Sequence, residues 1–181
     1  MSTKTEVTIE DLYKVDGKAE LVNGEIVHMS PTGKRPSQAA RAIVFSLYEH
    51  EKRTGSGEAV TDGAGFAVNL PGRKSLSPDA AFYTGKDTGM KFYEGAPVFA
   101  VEVRSEGDYG PTAERAMARK RADYFAAGTL VVWDVDLLSE TPVRAYRADD
   151  PENPAAYRRG ESANAEPALP GWNMPVDDLF A

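Results

Sequence analysis

Three ionisable side chains sit where apolar ones are due, and a chain that folds around them has to bring them together. Residues 112–127 (TAERAMARKRADYFAA) carry a helical period, with Ala113, Ala116, Met117, Lys120, Tyr124 and Ala127 along one stripe and Lys120 near its middle. Asp79 follows a proline at the start of the apolar strand SPDAAFY, and Glu102 interrupts a second apolar strand, VFAVEVRS. A buried amine or carboxylate is costly alone and is tolerated when charges pair or hold a metal. Taken singly, each has another resolution. Lys120 can lift its ammonium to solvent over a buried stem, and Glu102 can face out of a strand whose inward residues are Phe99, Val101 and Val103. Taken together, they point to a metal-dependent hydrolytic site. A charge on an apolar helix face is also dispensable for folding, so Lys120→Met is expected to leave the fold intact and even to stabilise it.

Composition narrows the chemistry. The 181 residues are 41% hydrophobic, enough to bury one core, and one domain spanning residues 1–181 is expected. The chain has no cysteine, so disulfides and thiolate zinc sites are excluded. Oxygen ligands remain, and these favour Mg²⁺ or Mn²⁺. A net charge of −7 excludes a protein that coats nucleic acid over its whole surface. Positive charge gathers locally at Lys34, Arg35 and Arg41, and again at Arg104, Arg115, Arg119, Lys120 and Arg121, where the arginines are either phosphate contacts or a solvated face balanced by Glu114 and Asp123. No apolar run approaches the roughly 20 residues that span a bilayer. The polar start MSTKTEVTIED has no signal-peptide pattern, so a cytoplasmic chain without membrane contact is expected.

Along the chain, a short helix or turn near Thr8–Leu12 precedes ELVNGEIVHM, where Asn23-Gly24 between apolar runs predicts a tight hairpin. Ser37–Arg53 reads as a long helix stopped by Gly55. Residues 58–70 read as one or two strands, PGRKSL as a turn, then come the Asp79 and Glu102 strands, the Lys120 helix, and strands at Leu130–Val135 and Pro142–Arg147, the latter pairing with the Tyr157 region. Residues 149–167 read as a surface excursion with short strand character. The order predicts an α/β fold, a mixed sheet flanked by helices with an N-terminal β-hairpin. The glycine segments lack nucleotide-cradle spacing. His28 and His50 have no serine or cysteine partner in the local sequence, and both read as structural or solvated.

A proline-aspartate entering one strand, a glutamate in the next and a nearby lysine make up the PD-(D/E)XK nuclease pattern. Here the position two after Glu102 is Arg104 rather than lysine. The ordered blocks ELVNGEIVHMSP, SPDAAFY, FAVEVRS and KRADYFAAGTLVVWDVD, spread over residues 18–147, resemble the Uma-two family of restriction endonucleases, in which the lysine is displaced onto the following helix. The resemblance implies a restriction-endonuclease-like fold with Asp79, Glu102 and Lys120 as the site and Glu20 as a fourth acidic position. Family members often carry a histidine entering the first long helix, whereas this chain has PSQ at Pro36–Gln38.

The function expected from these residues is a Mg²⁺- or Mn²⁺-dependent phosphodiesterase acting on DNA, with a homodimer as the expected assembly. Asp79, Glu102 and the Val103 carbonyl hold the ion, Lys120 orients water or stabilises charge, and Arg104 and Arg119 contact phosphate. The competing expectation is a catalytically silent regulatory or binding module that keeps the charged cluster as a structural network.

Overall fold

The chain opens with α1 (Ile9–Leu12), capped by a reciprocal pair of bonds between Thr8 and Asp11. Next, β1 (Ala19–Val22) and β2 (Glu25–His28) pair antiparallel across Asn23 and Gly24, whose φ values of 50° and 75° are those a tight two-residue hairpin turn demands. The computed structural model describes residues 6–181, so the first five residues of the polar N-terminal stretch lie outside the description.

The long helix α2 (Lys34–Thr54) turns Ala39, Ala40, Ile43 and Leu47 inward and ends at Gly55, whose φ of 61° closes the helix in the left-handed conformation. It starts three residues earlier than the apolar period suggests and ends one later. Beyond it come β3 (Glu58–Thr61), β4 (Phe66–Leu70), β5 (Arg73–Leu76), β6 (Ala80–Tyr83), the two-residue β7 (Tyr93–Glu94) and β8 (Phe99–Val103). Residues 73–76, expected as part of a turn, form a strand because they fold back onto β4 across Pro71 and Gly72 and meet β1 at Val22, a partner far away in the sequence. The helix α3 (Pro111–Ala126) then crosses to β9 (Val131–Val135), which lies parallel to β8, and β10 (Val143–Arg147) and β11 (Asp150–Tyr157) follow.

Two sheets result. The larger runs β11-β10-β9-β8-β6-β3 and is mixed, since β8 and β9 are parallel and the other neighbours antiparallel; the smaller runs β2-β1-β5-β4-β7. This is the expected mixed sheet flanked by helices, with the hairpin in the second sheet. One face of the large sheet packs Phe99, Val101, Val103, Val131, Trp133 and Val135 against α2. The other face packs Ala81, Ala100 and Val132 against Tyr124 of α3 and Phe66 and Leu76 of the small sheet. The charged residues that interrupt the strands lie on this second face.

The C-terminal region covers the α2 side. A short pair, β12 (Ser162–Asn164) and β13 (Asn173–Pro175), and a 3₁₀ turn at Val176–Phe180 deliver Trp172, Met174, Val176 and Leu179 into the core. Trp133, Trp172 and Phe99 pack with ring centroids 5.2–5.5 Å apart. The strand character read within residues 149–167 is that of the eight-residue edge strand β11, while part of the stretch is core rather than surface, with Ala163 and Ala165 fully buried. Among the described residues no helix is long and apolar enough to cross a membrane.

Candidate active site

Asp79 and Glu102 come from neighbouring strands. In the antiparallel pair of β6 and β8 the register ends at Ala80 facing Val101, and Asp79 is the residue that leads into β6. Its negative charge is felt by Glu102, whose carboxyl burial raises and this charge raises further. The Asp79 N–H donates to the Val101 carbonyl (2.9 Å), and the Val103 N–H donates to Asp79 Oδ2 (2.7 Å). The Val103 carbonyl, two residues beyond that of Val101, lies on the same edge of β8.

Lys120 reaches this pair from α3. Its ammonium bridges Glu102 Oε1 (2.8 Å) and Glu20 Oε1 (2.9 Å). Burial works against its charge, but Glu102 and Glu20 more than offset this and hold its pKa above the usual lysine range. Glu20, on β1, is 3% exposed and saturated: Oε1 also accepts from the Ser77 N–H, and Oε2 from Arg73. Burial pushes its carboxyl up, while Lys120 and Arg73 pull it further down, so it stays ionised below the ordinary range. Glu20 is thus built to hold Lys120 in place.

Glu102 has the opposite balance. Burial, and after it the charges of Asp79 and Glu20, outweigh Lys120 and push its carboxyl up to about 7. Tyr124 donates its hydroxyl to Glu102 Oε1 at 2.6 Å, so the one α3 residue that is fully buried carries a polar contact at its tip. The stripe of α3 expected to be apolar thus carries polar contacts at Lys120 and Tyr124. Lys120 meets Glu102 and Glu20 from it, and on its flanks Arg121 meets Asp134 and Asp123 accepts from Arg73.

Two cations escaped sequence reasoning. Lys18, just before β1, donates to Asp79 Oδ1 (2.9 Å) and Asp62 Oδ1 (2.7 Å), and Arg73 ties Glu20 to Asp123. Burial disfavours the Lys18 charge, but Asp79, Asp62 and Glu102 prevail and raise its pKa. The available signal for Lys18 was its place two residues before Glu20, hence on the same side of the chain as it enters the strand.

Arg104 differs from its expected role as a phosphate contact. Its guanidinium is 5% exposed and forks onto Asp134 through Nε and Nη2 (both 2.8 Å), while Nη1 donates to Glu114. A guanidinium committed to two carboxylates has no face left for phosphate. Arg119 is exposed on α3 and forms no ion pair among the described residues. His50 is buried, bonded to Arg53 and packed edge-on against Phe82, as a structural histidine is; His28 is exposed at the end of β2.

Among the described residues, no three Asp, Glu, His or Cys side chains are grouped to hold a metal. The available donors are the carboxylates of Asp79 and Glu102 and the Val103 carbonyl. That hard-oxygen set fits Mg²⁺ or Mn²⁺, which are held by one or two carboxylates and otherwise by water and phosphate. Burial is the main cause that drives Glu102 upward, and the neighbouring carboxylates add to it; a divalent cation offsets that added charge.

Against known proteins, residues 8–177 match the model of the Uma2 family, described as "Putative restriction endonuclease". Among solved structures, the chain is similar to a protein from Anabaena variabilis described as "a putative nuclease belonging to DUF820", with a TM-score of 0.74, 17% identity, and coverage of 96% of this chain and 97% of that one. At that identity the likeness is one of fold. No curated protein matches the chain.

Proposed function

Because the chain belongs to the Uma2 family, we propose that it is a metal-dependent endonuclease acting on the phosphodiester bonds of DNA, built as one PD-(D/E)XK-like domain. The observation that carries this reading is the charge cluster where β6 begins and β8 ends, with the Lys120 ammonium 2.8 Å from Glu102 and Asp79 bonded to the N–H of Val103, the residue after Glu102. Asp79, Glu102 and the Val103 carbonyl hold Mg²⁺ or Mn²⁺ in this proposal. A bound ion of that kind supplies the acidity that activates a water and offsets charge on the phosphate.

The remaining roles fall to the chain's own groups. Lys120, kept cationic by Glu20 and Glu102, orients the attacking water or stabilises the charge that grows on the phosphate. Arg73 and Tyr124 hold Glu20 and Glu102 in position. Arg119 contacts the DNA backbone from the exposed side of α3. With a net charge of −7, DNA binding depends on the divalent ion and weakens as salt rises. A homodimer in the cytoplasm belongs to the same proposal, and sedimentation equilibrium tests the assembly.

A second reading, a silent module whose charged cluster only stabilises the fold, draws on the lysine already paired with Asp79 Oδ1. One experiment separates the two. Mn²⁺ binding and cleavage of single-stranded, duplex and branched DNA are measured for the wild type and for Asp79→Asn. Cleavage that needs Mn²⁺ or Mg²⁺ and disappears with the substitution supports the nuclease. Absence of cleavage on every substrate, with Asp79→Asn altering only thermal stability, establishes the module.

A further inference from the structure

Asp79 offers its two oxygens unequally. Oδ2 is engaged by the Val103 N–H at 2.7 Å, which leaves Oδ1 as the oxygen free of main-chain bonds, and the Lys18 ammonium sits on it at 2.9 Å. The same ammonium is 2.7 Å from Asp62 Oδ1, and its side chain retains 18% exposure, between 13% for Asp79 and 43% for Asp62. Lys18 therefore bridges an inner carboxylate that belongs to the site and an outer one that does not.

We propose that Lys18 and Asp62 form a displaceable plug: the Lys18 ammonium occupies the metal-binding oxygen of Asp79 and withdraws onto Asp62 when a divalent cation takes its place. The inference rests on Asp79 being a metal ligand, as the nuclease reading has it. Three features of the geometry carry it. The Lys18 main chain is pinned by the hairpin, its carbonyl accepting from the Met29 N–H, so that only the flexible side chain moves. An ammonium is a compact charge with three donors on a rotatable stem, able to leave one acceptor while keeping another. Asp62 lies in the turn after β3, beside Gly63 at φ 88°, on the more exposed side of the lysine, which sets the direction of withdrawal.

Charge supplies the drive. A divalent ion on Asp79 with Lys18 unmoved places two cations on one carboxylate oxygen, and their repulsion is relieved by a small shift toward Asp62. Lys120 is unsuited to this exchange, because it is bridged between Glu20 and Glu102, both part of the same cluster. The site thus has two lysines of different kinds, one anchored and one able to yield.

The test is a double-mutant cycle read by calorimetric titration with Mn²⁺ alone, in the wild type, Lys18→Met, Asp62→Asn and the double variant, with circular dichroism to establish folding and Lys18→Gln in reserve if the methionine variant does not fold. Removing the plug is expected to tighten Mn²⁺ binding about tenfold, the scale of one charge-assisted bond. Asp62→Asn alone is expected to weaken binding, because the lysine then leans on Asp79. In the Lys18→Met background the same change is expected to matter by less than about twofold, since Asp62 acts through the lysine.

Lys18→Met binding no tighter than the wild type overturns the plug. So does Asp62→Asn weakening binding equally in both backgrounds, which is a simple field effect. If either result accompanies Mn²⁺ binding that Asp79→Asn abolishes, the plug falls and the metal site stands. Binding by Lys18→Met but not by the wild type supports a plug that closes the site completely. Binding by neither removes the metal site and the plug together.

Discussion

Replacing Lys120 by methionine tests whether the charged cluster is balanced as the structure has it. An apolar replacement in an apolar stripe is expected from the sequence to be harmless. The bridge from Lys120 to both Glu20 and Glu102 reverses that expectation, because the substitution leaves two carboxylates facing each other in a buried setting. Removing one partner of a buried pair costs about 3–5 kcal/mol. Lys120 and Glu102 keep 15% and 24% side-chain exposure, and screening there brings the expected loss to about 2–3 kcal/mol.

The loss has a pH signature. Glu102 titrates at about 7 in the folded chain against 4.5 for the ordinary group, so the folded state binds the extra proton across that window. Its contribution is therefore most favourable at the acid end and is lost as pH rises through the folded value. Without Lys120 the Glu102 carboxyl moves further up, extending the window. At about pH 6 the variant relieves its excess charge by protonation, and at about pH 8 it cannot do so as fully. For a chain of this size, thermal unfolding at about pH 8 should fall by about 4–12 °C, with a smaller fall at about pH 6. An unchanged or raised melting temperature at the higher pH, or an equal loss at both, refutes the reasoning.

Other expectations concern stability alone and are read by urea unfolding with an unchanged m-value. Arg104→Ala strips Asp134, itself 4% exposed, of its forked partner, and should cost about 3–5 kcal/mol, whereas Arg119→Ala should stay within about 0.5 kcal/mol. Trp172→Ala opens a cavity against Trp133 and Phe99 and should cost about 3–5 kcal/mol, although the residue lies only nine positions before the last residue described, Ala181. Gly57→Ala places a Cβ 2.5 Å from the Tyr83 carbonyl oxygen and 2.7 Å from the Phe82 ring, and relieving that overlap should cost about 1–3 kcal/mol.

What the residues determine by themselves is what depends on near neighbours. Asn23-Gly24 dictates the hairpin because those two residues tolerate positive φ. The apolar period and Gly55 define α2 to within a few residues, since helix bonds and caps close over four positions. Asp79, Glu102 and Lys120 stand out because each breaks a local pattern. The tertiary structure alone decides how those charges are compensated. Arg73 reads as a turn residue yet belongs to a strand that hands its guanidinium to Glu20, and Lys18 finds Asp79 across 61 positions of chain. Arg104 stands where a motif lysine is due, and only the parallel pairing of β8 with β9, which sets Glu102 beside Asp134, brings the carboxylate that claims it. The same holds for Trp172 and Met174, whose burial depends on α2 and the far face of the sheet. An intrusion into a local pattern is visible in one segment, whereas its partner belongs to another segment, and register and packing choose which one.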